Sequence, residues 1–413
     1  MCDFRGSYSR NRTQSADAPG YAVPRALAAV AAGGGEPGQS SRGRVQHLPP
    51  VHELRRERGP SRGPHPERPG AMPSGPGAGT VARVTSDDLA RHPMPLSRLG
   101  PGGPVVSRIG LGLAALGRPA YITSGRAGDL PDRSVEGLRD RTFAMLDAAY
   151  GAGVRYFDAA RSYGKAEEFL GGWLAARDHP DAVAGSKWGY RYTGGWRLDA
   201  DRQEVKEHSL AMFTRQIGET RTLLGDRLAL YQVHSLTAES GLLDDPALLA
   251  ALARLRDEGV LVGVTTSGPG QADTLRRAVQ AVAGGRPVFS AAQVTWNLLE
   301  PSVGAAAAAA ADAGWTVIVK EALANGRLTS GGDPEGPPPV LAALAGERDV
   351  TVDAIAIAAA LANPWASVVL SGAVTPAQLR DNLSALAVDD LPALDLAEPA
   401  ADYWAARSGR SWR

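Results

Sequence analysis

Cysteine is almost absent from the sequence, which has only Cys2 among its 413 residues. A single thiol cannot form a disulfide within the chain, and Cys2 lies outside any plausible folded core. The sequence therefore excludes a disulfide scaffold, a cysteine-based metal site and a cysteine nucleophile. This composition fits a reducing compartment, and we expect a cytoplasmic protein.

The sequence also lacks an excess of either charge and any long apolar run. Lysine and arginine together number 44, as do aspartate and glutamate, so there is no net positive charge to neutralise the phosphates of a nucleic acid. No stretch approaches the roughly 18 consecutive apolar residues of a membrane span. We expect neither a nucleic-acid partner nor a membrane, and we infer that the partner is a small molecule.

Lysine is missing from the first 93 residues, where glycine, proline, serine and arginine dominate, as in SRGPHPERPGAMPSGPGAG. Hydrophobic periodicity there is confined to a short alanine-rich patch near Tyr21. Such a segment buries too little apolar surface to offset the entropy of ordering it. We predict a disordered leader over residues 1–93. Two interpretations of it stay open, a targeting segment or a translation start nearer Met72 or Met94.

Residues 94–413 are expected to fold and work without this leader. The leader has little helix or strand pattern, and the first predicted strand of the remainder begins only near Ser107. Deleting residues 1–93 should therefore leave turnover and melting temperature unchanged. A large drop in either quantity would show that the leader belongs to the folded structure.

From Met94 onward, short β-branched or aromatic runs alternate with longer amphipathic or alanine-rich stretches, which is typical of βαβ units. We predict an α/β fold, a (β/α)8 TIM barrel, over residues 94–413. A doubly wound open sheet is less favoured because no GxGxxG follows an early strand. The predicted strands are Ser107–Leu113, Val154–Asp158, Ala182–Lys187, Leu228–His234, Val260–Thr266, Phe289–Trp296, Trp315–Lys320 and Trp365–Ser371.

Helices are predicted between these strands. Several of them end at glycine, which is common just past a helix C-terminus. The helical stretches are RTFAMLDAAYGAG, AEEFLGGWLAAR, FTRQIGETRTLLG, ALLAALARLRDEG, AAAAAAADAG and PAQLRDNLSAL.

Polar residues follow three consecutive predicted strands, at the barrel rim where active sites are built. Asp158 closes VRYFD, Tyr163 lies five residues further on, Lys187 closes AVAGSK, and His234 closes LALYQVH. Each alone has an ordinary structural interpretation: a helix cap, a surface aromatic, a snorkelling lysine and a buried histidine. Together an acid, a phenol, an amine and an imidazole would converge on one rim.

Such a set has the chemistry of proton transfer. An unperturbed tyrosine has a pKa near ~10, and an adjacent ammonium favours the phenolate, so we expect Lys187 to lower the pKa of Tyr163. Asp158 would pair with Lys187 and fix its direction. His234 would donate a hydrogen bond to a substrate oxygen while Tyr163 gives it a proton.

At these residues the sequence resembles the aldo-keto reductase family. VRYFDAARSYGKAEEFLG, GSKWG and LYQVHS carry the resemblance, which continues through GVLVGVTTSG, AAQVTWNLLE and SGAVTPAQLRDNL and covers roughly residues 94–387. It implies a NAD(P)-dependent oxidoreductase that interconverts a carbonyl, of an aldehyde, a ketone or a sugar, and its alcohol. The implied catalytic tetrad is Asp158, Tyr163, Lys187 and His234, with Tyr163 as general acid/base.

The resemblance also assigns the cofactor-binding residues. It implies that Thr265, Thr266 and Gln293 hold the nicotinamide carboxamide, and that Asp381 and Asn382 contact the adenine end.

The chain departs from the family pattern at two of its strand ends. GVTT stands where the family usually has GVSN, so a hydroxyl replaces a side-chain amide that reaches further. VIVKEALANG offers Lys320 and Glu321 where a tyrosine normally stacks on nicotinamide. Trp296, another aromatic residue or an aliphatic stem are the candidates to replace that ring. The loop WGYRYTGGW after Trp188 is interpreted either as a substrate wall or as a surface hairpin.

The choice between NAD and NADP rests on SGAVTPAQLRDN. NADP-dependent relatives place lysine or arginine at the positions occupied here by Gly372 and Gln378, where the cation binds the 2′-phosphate. Glutamine offers only a neutral donor to a group of nearly two charges. We therefore expect NAD to be used at least as well as NADP, and Gln378→Arg to shift the preference toward NADP. Arg380 is the alternative phosphate ligand, on another face of the same helix.

Two other functions stay open. Some members of this superfamily act as redox-sensing regulatory subunits that bind cofactor with little turnover, although the intact tetrad argues against a purely structural role. A hydrolase or isomerase would use the same fold, since fold alone does not fix function. It would need a metal cluster or paired carboxylates, and neither stands out at the strand ends.

Overall fold

The structure is a computed structural model that describes residues 93–122, 126–333 and 335–412. The predicted leader, residues 1–93, lies outside this part of the chain except for its last residue. Within the described part, every helix is too short or too polar to cross a membrane.

An antiparallel hairpin at the start of the described chain closes the amino end of the fold. It consists of β1 (Leu96–Arg98) and β2 (Val105–Ser107), and its turn uses positive φ at Gly100 and Gly102. The Gly100 amide donates to Thr316 Oγ1 at 2.6 Å. The sequence patterns did not predict this hairpin, because its strands are only three residues long and their alternation is too brief to recognise.

Eight parallel strands form a closed barrel in which neighbours in the ring follow chain order. Val369 pairs with Ile109 to close the ring. All eight strands overlap the predicted ones, so the predicted (β/α)8 barrel is confirmed. The strands are β3 (Ile109–Gly112), β4 (Tyr156–Asp158), β5 (Val183–Trp188), β8 (Leu228–Leu236), β9 (Leu261–Thr266), β12 (Ala291–Thr295), β13 (Thr316–Lys320) and β14 (Val368–Ser371).

Two further hairpins are inserted between barrel strands. The first pairs β6 (Tyr190–Tyr192) with β7 (Glu204–Lys206), and the second pairs β10 (Val282–Ala283) with β11 (Arg286–Pro287). Because β6 begins two residues after β5 ends, the first hairpin stands at the carboxyl end of the barrel.

Helices connect the barrel strands and cover its outside. They are α1 (Arg126–Asp129), α2 (Val135–Gly151), α3 (Ala166–Ala176), α4 (Leu210–Leu224), α5 (Pro246–Asp257), α6 (Gln271–Val279), α7 (Gly304–Asp312), α8 (Pro339–Glu347), α9 (Val352–Leu361), α10 (Pro376–Leu383) and α11 (Ala400–Ser408). Single 3₁₀ turns lie at Gly225–Arg227, Ala238–Ser240, Leu242–Asp244, Ala324–Gly326 and Ser384–Ala387.

Local sequence explains where several helices begin. Ser209 Oγ accepts the Met212 amide at 3.1 Å, and Thr375 Oγ1 accepts the Gln378 amide at 3.2 Å, as N-cap side chains do. The six predicted helical stretches all coincide with observed helices, whereas α1, α6, α8, α9 and α11 were not predicted. Helix α9, VDAIAIAAAL, is buried along most of its length and therefore lacks the polar stripe that marks an amphipathic helix.

The last helix, α11, packs over the carboxyl end of the barrel. Tyr403 Oη accepts from Asn297 Nδ2 at 2.9 Å, and Trp404 Nε1 donates to Glu300 Oε1 at 3.2 Å. Both aromatic side chains are buried. These bonds fix α11 against the loop that follows β12, so the end of the chain borders the rim where TIM barrels carry their active sites.

Candidate active site

A cavity of about 660 Å³ opens at the carboxyl ends of the barrel strands. Its wall combines strand-end residues with the loop after β3, the β6–β7 hairpin and helix α11. Among the described residues, no group of histidine, cysteine, aspartate or glutamate side chains is arranged to hold a metal ion. The strand-end residues in the wall are Gly112, Asp158, His234, Gln293, Lys320 and Ser371.

Lys187 and Asp158 form a buried ion pair beside the floor of this cavity. Lys187 Nζ donates to Asp158 Oδ2 and to the Ala159 carbonyl, the latter at 2.9 Å. Asp158 Oδ1 also accepts from Tyr156 Oη at 3.2 Å and from Gln293 Nε2 at 3.0 Å. Burial lowers the pKa of Lys187, and Asp158 opposes that shift. The carboxylate is thus saturated with donors and holds the lysine in a fixed direction.

Tyr163 lies between three polar groups. Its ring centre is 4.8 Å from Lys187 Nζ and 5.1 Å from the Arg118 guanidinium, and the His234 ring meets it edge-on at 5.4 Å. Burial, followed by the charge of Asp158, raises the pKa of Tyr163 well above its ordinary value. The expectation that Lys187 lowers this pKa is therefore wrong, because Asp158 neutralises the lysine and the phenol is desolvated. Tyr163 stays a protonated phenol near neutral pH.

His234 is a neutral imidazole in this environment. Its Nδ1 lies 3.3 Å from Ser162 Oγ, and its backbone carbonyl accepts from His208 Nε2 at 2.9 Å. Burial and the nearby cations Lys187 and Arg118 lower the pKa of His234 well below the usual range. A neutral ring donates one hydrogen bond without carrying a charge into the cavity.

The half-buried His208 should make stability depend on pH. Burial and Lys206 lower its pKa to about 4 in the folded protein, whereas an unfolded histidine titrates near ~6.5. Between these values the unfolded chain binds more protons, so the free energy of unfolding falls as the pH falls. We expect His208→Gln to reduce that slope by roughly 1 kcal/mol per pH unit between pH 6 and 5, measured by urea unfolding. An unchanged slope would assign the pH dependence to other groups.

Arg118 is a wall residue that the sequence patterns missed. It is 2% exposed, and its Nη1 donates to Glu204 at 2.8 Å and to the Ser162 carbonyl at 3.1 Å. The guanidinium also lies 5.2 Å from the Tyr121 ring centre and 4.9 Å from that of Trp412. Arg118 and its partners lie in loops or in elements outside the barrel, so a search of barrel strand ends misses them. The segment LGRPAY, in the loop after β3, is the part of the sequence that could have indicated Arg118 and Tyr121.

Lys320 and Glu321 line the cavity at the end of β13. Lys320 Nζ donates to Thr295 Oγ1 and lies 3.7 Å from Glu321. Arg407 on α11 binds the Glu321 carboxylate with two hydrogen bonds, of 2.7 and 2.5 Å. Burial lowers the pKa of Lys320 to about 8, whereas Arg407 and Lys320 overcome burial and hold that of Glu321 at about 2. This ion-pair network ties the C-terminal helix to the barrel rim.

Similarity to known proteins agrees with this geometry. A model of the aldo/keto reductase family matches residues 108–399, well over half of the chain. The chain belongs to the aldo/keto reductase family. It is accordingly an oxidoreductase that interconverts carbonyl and alcohol groups of small molecules, as the sequence analysis expected.

Individual relatives are distant. The chain is 29% identical over 317 residues to a D-threo-aldose 1-dehydrogenase from a Pseudomonas species, with 69% of this chain and 93% of the relative covered. An aldo-keto reductase from Bacillus halodurans in its holo form is 22% identical, with a TM-score of 0.55 over 76% of this chain and 96% of its own. A glycerol dehydrogenase from Gluconobacter oxydans is 21% identical, with a TM-score of 0.52 over 70% and 89%. These two structures agree with the fold.

Thr265 and Thr266 do not reach the cavity of this aldo/keto reductase. Both are fully buried: Thr265 Oγ1 accepts the Ser235 amide at 2.7 Å, and Thr266 Oγ1 bonds to Gln271 at 3.4 Å. Ser267, the next residue, does line the cavity. The hydroxyls of the two threonines bond within the protein, and their assignment to the carboxamide stays a prediction.

The remaining predicted cofactor residues do line the cavity of this aldo/keto reductase. Gln293 does so while donating to Asp158. Asn382 Nδ2 donates to Ser371 Oγ at 2.8 Å, and Asp381 and Gln378 lie on the same helix, α10. The structure thus brings together four of the six predicted cofactor residues and all of the predicted tetrad except Lys187, which lies just behind the wall.

The aromatic loop after β5 fits both of its interpretations. It forms the β6–β7 hairpin, and Tyr190 from this hairpin lines the cavity 4.9 Å from the His234 ring. Trp188 is fully buried and packs on Phe213 instead. Trp296 packs on Trp365 and does not line the cavity, so it does not replace the tyrosine missing after β13.

Proposed function

We propose that this aldo/keto reductase transfers hydride between NAD(P) and a small carbonyl or alcohol substrate, with Tyr163 as general acid/base. The observation that carries the proposal is the meeting of Tyr163 and His234 in one cavity, directly over the Lys187–Asp158 pair. An acid with a matched base or orienting group at the same cavity wall is the arrangement that proton transfer requires.

The cavity wall suits a dinucleotide. Gly372 and Val374, which directly precede the N-terminus of helix α10, lie in that wall, and amides at a helix N-terminus favour a pyrophosphate. A side chain at Gly372 would meet nothing within 4 Å, so there is open space above its backbone. Asn382, near the C-terminus of α10, offers a buried side-chain amide beside Ser371. NAD(P), when bound, supplies or accepts the hydride.

Residues of the chain itself orient the substrate and transfer the proton. Neutral His234 donates a hydrogen bond to the substrate oxygen and orients it. Tyr163, kept protonated by its raised pKa, gives that oxygen its proton during reduction and takes it back during oxidation. Lys187 lies beside the tyrosine and its positive charge stabilises the phenolate when it forms, while Asp158 holds Lys187 in position.

The substrate that we propose is a small polyhydroxylated aldehyde or the ring form of an aldose. Arg118, Glu204, Tyr190 and Asn325 give the cavity wall several hydrogen-bonding groups, and a sugar has hydroxyls to pair with them. The relative named D-threo-aldose 1-dehydrogenase supports this class. Oxidation of the C1 hydroxyl of a cyclic aldose removes a hydride and a proton and leaves a lactone.

Steady-state assays test the proposal. Aldoses, short hydroxyaldehydes and size-matched apolar aldehydes are compared with both nicotinamide cofactors, and the absorbance of the reduced nicotinamide is followed. We expect turnover, with kcat/KM higher for hydroxylated substrates than for the apolar ones. Tight cofactor binding without turnover on any substrate would contradict the proposal and favour the redox-sensing regulatory subunit.

A further inference from the structure

Negatively charged side chains border the part of the cavity next to helix α10. Asp129, Asp353 and Asp381 all line it there. Burial and the neighbouring Asp381 raise the pKa of Asp353 to about 6. The group of three does not form a metal site among the described residues. Its charge nevertheless bears on which nucleotide the proposed cofactor site accepts, because the two nicotinamide dinucleotides differ by one phosphate.

Asp129 is held in place by Gln378. Gln378 Nε2 donates to Asp129 Oδ2 at 2.8 Å, while its Oε1 accepts the Val374 amide at 2.9 Å. The single amide group therefore joins the loop after β3 to the turn before α10. The nitrogen and the oxygen of the Gln378 side-chain amide are both hydrogen-bonded, so this residue holds the Asp129 carboxylate at the cavity wall. A carboxylate therefore stands where NADP-dependent relatives have a cation. A carboxylate has lone pairs left to accept from a sugar hydroxyl.

The cationic side chains that the structure describes in the cavity wall lie away from Asp129 and pair with other carboxylates. Arg118 pairs with Glu204 beside Tyr163, while Lys320 and Arg407 contact Glu321. Arg380, the alternative phosphate ligand, is exposed and does not line the cavity. A 2′-phosphate next to Asp129 would therefore meet like charge, which costs affinity, and the cations that the structure describes in the wall lie elsewhere.

We propose that Asp129 selects NAD over NADP by accepting a hydrogen bond from the 2′-hydroxyl of the adenosine ribose and repelling a phosphate at that position. Gln378 acts as the residue that positions this carboxylate. The proposal rests on the proposed function, because it takes the cavity to be the dinucleotide site.

Binding is measured without turnover, by quenching of tryptophan fluorescence during titration with NADH and with NADPH. We expect the wild-type chain to bind NADH at least tenfold more tightly than NADPH.

Asp129→Asn keeps the shape of the side chain and a partner for Gln378 but removes the charge. It should weaken NADH about tenfold, the size expected for a hydrogen bond to a charged group, and strengthen NADPH. Asp140→Asn removes the same charge from an exposed position on α2 and should leave both dissociation constants unchanged.

A second variant tests the contact with Gln378. In the wild-type background the arginine of Gln378→Arg would pair with Asp129, so its gain in NADPH affinity should be under threefold. In the Asp129→Asn background the same arginine is released to the phosphate, and the gain should be tenfold or more. Equal gains in the two backgrounds would show that Asp129 does not reach this site.

The outcomes separate the two proposals. Wild-type preference for NADPH, or an unchanged NADH to NADPH ratio in Asp129→Asn, overturns the role of Asp129 and leaves the proposed function intact. Failure of the wild type to bind either nucleotide overturns the proposed function and this inference together.

Discussion

Tyr163→Phe is expected to lower kcat by roughly two to four orders of magnitude, the usual contribution of general acid catalysis. The substitution removes only the phenolic oxygen, so the ring that packs against His234 and lies beside Lys187 is retained. We therefore expect an unchanged circular dichroism spectrum and a cofactor dissociation constant within about threefold of the wild type, since a lost contact of ~0.6 kcal/mol is the most this change should bring. Single-turnover hydride transfer is the direct measurement.

Tyr190→Phe is the matched control for this variant. Tyr190 lines the same cavity and lies beside the same histidine, and burial raises the pKa of its phenol to about 12. Because we give it no role in proton transfer, its loss should cost less than about tenfold in kcat. If the two variants were equally impaired, or if Tyr163→Phe kept wild-type turnover, the assignment of the general acid to Tyr163 would be wrong.

Asp158→Asn is expected to damage stability as well as activity. Asp158 accepts from Lys187, Tyr156 and Gln293, and an asparagine turns one acceptor into a donor that faces these donors. The Lys187 ammonium would be left buried without its counter-charge, which typically costs about 3–5 kcal/mol. Calorimetry or urea unfolding should show the loss. Hydride transfer should fall in parallel because Lys187 no longer has a fixed direction.

Asp147→Asn provides the comparison for this charge removal. Asp147 pairs with Arg177 at 3.0 Å, but both side chains are about 40% exposed. A surface ion pair contributes roughly 0–1 kcal/mol, so this variant should unfold near the wild-type temperature and keep full activity. Equal destabilisation by the two substitutions would mean that the buried Lys187–Asp158 pair contributes no more to the free energy of unfolding than a surface ion pair does.

The barrel and the placement of Asp158, Tyr163 and His234 at its cavity were predictable because they depend on short-range patterns. The barrel strands are runs of mostly apolar residues with polar residues at or near their carboxyl ends, and a closed parallel barrel brings those ends to one rim. Asp158 is the last residue of β4, and His234 lies two residues before the end of β8. At β9, Thr265 and Thr266 still belong to the strand, and Ser267, the next residue, lines the cavity.

The wall of the cavity was not predictable in this way. Arg118 and Trp412 meet at 4.9 Å although almost 300 positions separate them in the chain, and neither follows a strand pattern. The pKa of Tyr163 likewise depends on how deeply the ring is buried and on Asp158, and a sequence reports neither quantity. Loop paths and desolvation are properties of the assembled tertiary structure.

The order in which the ribosome delivers the chain matters for this enzyme. Strand β3 finds its second barrel neighbour only when Val369 becomes available to Ile109. Arg407, which grips Glu321, follows nearly forty residues later. Closing so long a loop is slow, and β3 offers an unpaired edge while it waits. A nascent or truncated chain that ends before α11 would contain all four predicted tetrad residues but lack one wall of the cavity. The complete cavity therefore forms only when the last helix is in place.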